Sequence, residues 1–354
     1  MTVTAPAARR IDFVDGARLA LTVVHDRDFA TALWLATGSS DHVSLVAARL
    51  AERGFVIQDD GLREAGGGCA DVRDERALYS LAGLAWVPPE RREGLDELDD
   101  ASAGREPSLL QASDLRGILH CHSTWSDGKA DIATMAAAAK LRGWSYIGIT
   151  DHSQAAFYAG GLKPDQVREQ HDEIDRLNET LTDFRVLKGT EADILTDGRL
   201  DYDDDLLDSF DFIVASVHSR FAMDRATMTA RVLRALDDPR LTILGHPTGR
   251  LLLSREPYAI DMDAVLEKAA TVGAAVELNA DPHRLDLDWR LIPRARALGI
   301  PIEIGPDAHS TSGLDNVTIG VGMARKGGLR ASETLNARSA SEVLSFARSR
   351  RGRG

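Results

Sequence analysis

Between residues 117 and 305 the chain alternates short β-branched runs with amphipathic helical stretches, and this alternation constrains the fold more than any other feature of its 354 residues. It is the pattern of a parallel sheet with crossover helices. The runs place strands at 117–121, 145–150, 185–190, 212–217, 242–245, 274–279 and 301–305, and helices at 132–141, 165–181, 225–236, 262–271 and 289–297. Seven strand and helix units in a little over 200 residues suit a closed (β/α) barrel better than an open sheet.

Ahead of these units the text is different. Residues 19–24 (LALTVV) read as a strand, and 29–35 and 43–53 as helices. The stretch GLDELDDASAGREPS at 94–108 is acidic, small and almost free of large apolar residues, so it reads as a linker or long surface loop. The chain therefore divides into a small α+β domain over 1–108, linker included, and a barrel over 109–354. Each is long enough to bury its own core.

Composition excludes several classes. No apolar stretch approaches the ~18–20 residues of a membrane-spanning helix, and the amino terminus lacks the apolar core of a secretory signal. A cytoplasmic protein with no membrane partner is expected. With Cys69 and Cys121 as the whole cysteine complement, a disulfide scaffold is not expected. A net charge of −13 counts against tight non-specific DNA binding, which rests on Lys and Arg neutralising phosphates. The basic tail from Arg348 to Gly354 reads as a solvated, disordered end.

Against that background, the placement of the metal-capable residues is informative. His120 and His122 end the first strand and Asp127 lies in the loop after it; His152, Glu191, His218 and His246 follow the second to fifth strands; Asp307 and His309 follow the seventh. These nine residues sit at the carboxyl ends of six strands, the face on which α/β barrels build active sites. In extended chain His120 and His122 point the same way while Cys121 faces the other. Neutral imidazoles with carboxylates suit Zn, Mn, Fe or Co better than Ca or Mg, and nine ligands imply two or three ions, with Glu191 the best bridging carboxylate. Such clusters activate a water and clamp the oxygens of a phosphoryl ester. The other histidines, His25, His42, His171 and His283, read as surface or packing residues.

The segments HCHSTWSDG, ITDHS, GTEADIL, SVHS, GHPTGR and PDAHS, in this order, resemble the polymerase and histidinol phosphatase (PHP) family. The resemblance implies a distorted seven-stranded, TIM-like barrel, up to three metals held by the nine residues, and hydrolysis of phosphate esters. The wording between the segments is similar to the PHP module at the carboxyl end of bacterial family X DNA polymerases, which is associated with 3′-to-5′ exonuclease and 3′-end cleaning. LWLATGSSDHVSLVAARLAERGFVIQDDGL and ERALYSLAGLAWVPPERRE resemble the end of the family X palm and its thumb. Ala20 stands where that palm would carry its third aspartate, so a degenerate remnant without polymerase activity is expected. Gly305-Pro306 replaces the small polar residue usual before Asp307, which implies a local change of backbone.

On this scheme His120, His122 and Glu191 hold one ion with Asp307 near it, His152, His218 and Glu191 serve a neighbour, and Asp127, His246 and His309 complete the set. His122, Glu191 and Asp307 are the catalytic candidates among the ligands, and Arg250 and Arg284 are candidates to bind phosphate oxygens through their planar forks. Three functions fit: a nuclease or 3′-phosphatase acting on DNA ends, a phosphatase of small phosphorylated metabolites, and a non-catalytic metal-stabilised module. Oligomeric state is left open.

Overall fold

The computed structural model describes residues 7–58 and 61–352. The chain separates into two compact units, Met1–Ser108 and Leu109–Gly354. No helix among the described residues is long and apolar enough to cross a membrane.

The first unit contains an antiparallel hairpin, β1 (Ala7–Asp12) and β2 (Arg18–Val23), then α1 (Phe29–Thr37), α2 (Ser40–Glu52), a second hairpin of β3 (Phe55–Gln58) and β4 (Gly61–Glu64), α3 (Glu75–Leu81) and α4 (Glu97–Ser102). Its core gathers Trp34, Val46, Leu50, Leu62, Leu78 and Tyr79. Helix starts are chemically marked: Ser39 accepts from the His42 amide and Asp74 from that of Ala77, satisfying donors that a helix start leaves free.

The expected linker at 94–108 is not one. α4 lies inside it, with Glu97 and Ala101 buried. The Glu97 carboxylate meets His42 Nδ1 at 2.7 Å and accepts the amides of Gly94 and Leu95. Polar contacts fold this segment together with Leu98 and Ala101, which pack on the core of the first unit, and apolar periodicity does not report the polar ones.

The second unit carries the seven-stranded parallel sheet: β5 (Gly117–Ile118), β6 (Tyr146–Ile149), β7 (Arg185–Asp193), β8 (Phe212–Ser216), β9 (Ile243–Leu244), β10 (Ala275–Asn279) and β11 (Ile302–Gly305), paired in sequence order. Between them run α5 (Ile132–Leu141), α6 (Pro164–Thr180), α7 (Asp204–Asp208), α8 (Arg225–Asp237), α9 (Met262–Val272) and α10 (Ile292–Ala297), with α11 (Val317–Lys326) and α12 (Ala340–Arg351) after the last strand. Asp131, Asp224 and Asp261 cap α5, α8 and α9 by accepting an amide three residues on.

The edges of the sheet meet. Cys121 and Ala308 form a parallel bridge, with the His122 amide on the Ala308 carbonyl at 2.9 Å and the Ala308 amide on the His120 carbonyl at 3.2 Å. The barrel is thereby nearly closed. The regular ladder of β5 stops at Ile118, short of the strand expected through 121. His120 and Asp307, on the two facing edges, both take left-handed backbone, at φ 57° and 49°, a conformation uncommon outside glycine. Simple alternation therefore does not explain how His120 and His122 reach the same site. Cys121 does point away, into the main hydrophobic core.

Inside the barrel Leu119, Tyr146, Leu187, Phe212 and Ile243 pack with Leu335, Val343, Leu344 and Ala347, which come from the last segment and α12. Gly148 and Gly189 leave the room that the Phe212 ring occupies, since a Cβ at either would meet it. The described part of the basic tail is also not the solvated end expected: α12 runs to Arg351, and the buried Arg350 guanidinium donates to the carbonyls of Leu241, Val272 and Asp238 at 2.7–2.8 Å, while residues 353 and 354 lie outside the described residues. Pairing with backbone carbonyls lets a charge sit at the barrel wall.

Candidate metal centre

All nine residues read from the strand ends converge. His122, Asp127, His152 and His309 form one group of mutually close ligand atoms; His120, His122 and Asp307 a second; His120, Glu191 and His246 a third; His152, Glu191 and His218 a fourth. Within each group the ligand atoms lie within 4.8 Å of one another. His246 thus lies with His120 and Glu191, while Asp127 and His309 face His122 and His152.

Glu191, on β7 rather than after it, is the hub. Its carboxylate lies 2.9 Å from His152 Nδ1, 3.1 Å from His218 Nε2, 2.9 Å from His246 Nε2 and 3.4 Å from His120 Nε2. Asp307 Oδ1 is 3.3 Å from His122 Nε2 and 3.5 Å from His120 Nε2. Asp127 Oδ1 is 3.3 Å from His309 Nε2 and 3.7 Å from His152 Nε2. Asp127 is exposed and His309 and His218 are partly buried, while the other ligand candidates are buried.

Positive charge is drawn to this cluster: against burial, the facing carboxylates raise His120, His218 and His309, so protons hold in the free protein the positions a bound cation would take. Burial opposes ionisation of Glu191 and Asp307, but the surrounding imidazoles override it and hold both carboxyls well below the usual range, so both stay anionic. Burial together with the neighbouring His152 and His309 lowers His122 to about 4, which keeps it neutral, the form that ligates. A second observation points the same way: among the described residues His120 Nε2 and both ring nitrogens of His122 are buried without a hydrogen bond. Buried polar atoms normally find partners, and three converging orphans beside carboxylates are what a set of ligands for divalent ions presents.

Around the ligands stand residues that reading the strand ends did not single out. Asp151 accepts from the amides and hydroxyls of Ser123 and Ser126, at 2.5–3.2 Å, and from Gln170, pinning the loop that carries Asp127. Asp193 Oδ1 meets His218 Nδ1 at 2.5 Å. Glu277 and Asn279, on β10, contact ligands from three other segments. Their signal was present as polar residues in strands buried on every side, at i and i+2, but it names no role.

The two arginines differ. Arg284 Nε lies 3.2 Å from Asp307 Oδ2, beside the cluster. Arg250 does not offer its fork to a substrate: Nε donates to the Arg284 carbonyl at 2.9 Å, Nη1 to Asp288 at 2.7 Å and Nη2 to the Leu285 carbonyl. It braces the loop that presents Arg284, a use of its donors that spacing cannot reveal. Of the remaining histidines, His42 and His171 are buried, while His25 and His283 are exposed.

Comparison with known proteins follows this division. The DNA polymerase beta thumb family matches residues 32–93 and the PHP domain family residues 119–279. The chain is 41% identical over 325 residues to the DNA polymerase/3′-5′ exonuclease PolX of Bacillus subtilis (strain 168), a match covering 92% of this chain and 57% of that protein. It is 30% identical over 202 residues to a probable phosphatase of Syntrophotalea carbinolica, covering 54% of this chain and 79% of that one. Among solved structures, histidinol phosphate phosphatase from Lactococcus lactis, complexed with Zn, L-histidinol and phosphate, aligns over 61% of this chain and 94% of its own at TM-score 0.46 and 17% identity.

Proposed function

The chain belongs to the PHP family, and from that premise we propose that it is a metal-dependent phosphoesterase that processes the 3′ ends of DNA. The observation that carries the hydrolytic part is the convergence of nine ligands, with orphaned imidazole nitrogens, on one face of the barrel. Two or three divalent ions would be held there by His120, His122, Asp127, His152, Glu191, His218, His246, Asp307 and His309; zinc and manganese suit this donor set. When bound, such ions acidify a water and neutralise charge on the phosphoryl oxygens.

The protein's own groups supply the rest. Glu191 and Asp307 remain anionic, six of the nine ligand candidates are buried from bulk water, and Arg284 offers a fixed positive charge beside them. No free lysine amine is needed at that position, because a guanidinium stays charged at any working pH.

DNA ends are favoured by the relation to a polymerase and 3′-5′ exonuclease across 92% of the chain and by the rim of the site. Phe157 and Tyr158 are exposed on the turn that follows His152. Exposed rings beside a phosphate site can stack a terminal base. The probable phosphatases favour the second reading, a small phosphorylated metabolite.

The test is hydrolysis by protein loaded with zinc or manganese, on 3′-recessed duplex, 3′-phosphate DNA and histidinol phosphate, with His122→Ala as control. DNA-end cleavage abolished by His122→Ala supports the proposal. Turnover of the small ester alone replaces it with the second reading, and DNA cleavage that survives in His122→Ala overturns it. Phe157→Ala should weaken DNA-end binding by about 1–3 kcal/mol and leave a small ester untouched.

A further inference from the structure

Six of the seven barrel strands deliver a ligand candidate at their carboxyl ends; β10 delivers none. Yet β10 carries Glu277 and Asn279, both at 0% exposure, in a strand otherwise made of apolar residues. Burying a carboxylate there is costly unless every oxygen has a specific partner.

Those partners are the ligand segments. Glu277 Oε1 is 2.5 Å from His120 Nδ1, and Oε2 accepts the His246 amide at 2.5 Å. Asn279 Nδ2 donates to Asp307 Oδ2 at 3.1 Å and to Glu277 Oε2 at 3.3 Å. Two side chains, two residues apart, therefore hold the ligands that follow β5, β9 and β11. The fold makes room for this: a Cβ on Gly305, which pairs with Asn279 on β11, would collide with the Glu277 carboxylate.

We infer that Glu277 and Asn279 are positioning residues for the metal cluster, Glu277 fixing the His120 tautomer that leaves Nε2 free to ligate and Asn279 orienting Asp307. This rests on the metal-site part of the proposed function and is independent of which ester is cut. The reason is donor and acceptor counting. An ionised Glu277 accepts from His120 Nδ1–H and from the His246 amide at once. Only the Nδ1–H tautomer presents an Nε2 lone pair to the cluster, where Nε2 lies 3.4 Å from Glu191 and 3.5 Å from Asp307. A ligating histidine commonly gives its other N–H to a carboxylate for this purpose.

Glutamine has the same shape but one acceptor. In Glu277→Gln the amide nitrogen must face either the His246 amide, donor against donor, or His120 Nδ1, which moves the imidazole proton to Nε2 and blocks ligation. Asn279→Ala removes the contact to Asp307 and the longer one to Glu277 but keeps the Glu277 contacts to His120 and the His246 amide, so the two variants separate the two roles. Glu303→Gln is the control for burial: Glu303 lies directly opposite Glu277 on β11, is equally buried, and its Oε1 pairs with Asn336 rather than with a ligand.

The experiment is zinc and cobalt(II) binding to the full chain by competition titration, with the visible spectrum of the cobalt protein and its circular dichroism recorded in parallel. Expected are about 10–100-fold weaker binding of one ion in Glu277→Gln with a changed cobalt spectrum, a smaller loss in Asn279→Ala, and wild-type binding in Glu303→Gln. Unchanged affinity and spectrum in Glu277→Gln overturn the assignment, and so does an equal loss in Glu303→Gln, which would mark a general effect of burial. If Glu277→Gln fails to fold, Asn279→Ala decides: wild-type affinity and spectrum there overturn the Asp307 role and the inference with it. If wild-type protein binds neither metal, the metal reading itself fails, an outcome distinct from all of these.

Discussion

Each unit buries a histidine completely and sets its Nδ1 against a glutamate: His42 on Glu97 at 2.7 Å in the first, His120 on Glu277 at 2.5 Å in the second. The other nitrogen separates them. His42 Nε2 meets the Tyr79 hydroxyl at 2.7 Å, so the ring is fully satisfied within the protein. His120 Nε2 has no hydrogen bond and faces two carboxylates, in company with other orphaned imidazole nitrogens. The first arrangement fixes a fold, and the second reserves a position for something the protein binds. Burial and a carboxylate partner do not distinguish the two; the fate of the second nitrogen does.

The comparison is broken most severely by removing the hub. Glu191→Gln keeps the shape but loses the charge that five imidazoles share. Hydrolysis of any ester substrate should fall by more than about 100-fold, beyond the range for losing an outer partner, with the circular dichroism of the chain preserved. Steady-state rates on the preferred substrate check this, and a loss below about tenfold would mean that Glu191 is no ligand.

Next in size is the opposite experiment. His42→Ala leaves Glu97 with only the Gly94 and Leu95 amides and takes the imidazole from the Tyr79 hydroxyl. Leaving a buried polar group without its partner costs about 1–3 kcal/mol, and two groups lose one here, so urea denaturation should show the first unit unfolding early. Bound zinc per chain should be unchanged, because among the described residues His42 contributes to no ligand group. A fall in zinc content would erase the distinction drawn between the two histidines.

Removal of metal follows. Ions that bind the folded barrel stabilise it by mass action, about 2.7 kcal/mol at a hundredfold excess over Kd. Stripping them with a chelator should therefore lower the melting temperature of the barrel, and zinc should restore it, while a transition assigned to the first unit stays in place. Calorimetry with and without chelator reads both.

Part of this contrast was legible in the sequence. Alternation of β-branched and amphipathic runs specified the seven parallel strands, because strands buried on every side cannot hide their composition. The histidines announced themselves by falling at strand ends. What stayed hidden were contacts made by ordinary residues in unusual surroundings. Glu97 looked like one more acid in an acidic stretch, though it anchors α4 through His42. Glu277 and Asn279 sat in a strand with no histidine. Arg250 had the right chemistry for phosphate, but its fork is committed to the carbonyls of the Arg284 loop. Sequence spacing reports which face a side chain shares; it does not report which of several donors across the barrel reaches it first.

The smallest expected effect tests the rule at its weakest point, His171. This histidine on α6 also has a buried Nε2 without a hydrogen bond, yet among the described residues it belongs to no ligand group and has no carboxylate within ion-pairing distance; its ring stands edge-on to Phe210 at 4.9 Å. An orphaned nitrogen alone therefore does not mark a site, and convergence with other ligands does. The physical consequence differs as well. Burial, with Lys188 adding to it, lowers His171 to about 4, whereas the unfolded chain protonates near 6.5. Below about pH 6.5 the unfolded state takes up a proton that the folded state refuses, so stability is lost as pH falls from 6.5 toward 4 and is unaffected above that window. The loss amounts to about 1 kcal/mol between pH 6.5 and 5.5. His171→Gln, which cannot titrate, should flatten this part of the stability profile in urea denaturation and leave zinc content as in the wild type. An unchanged acid slope would mean that His171 protonates freely when folded, and altered zinc content would place it in the metal centre after all.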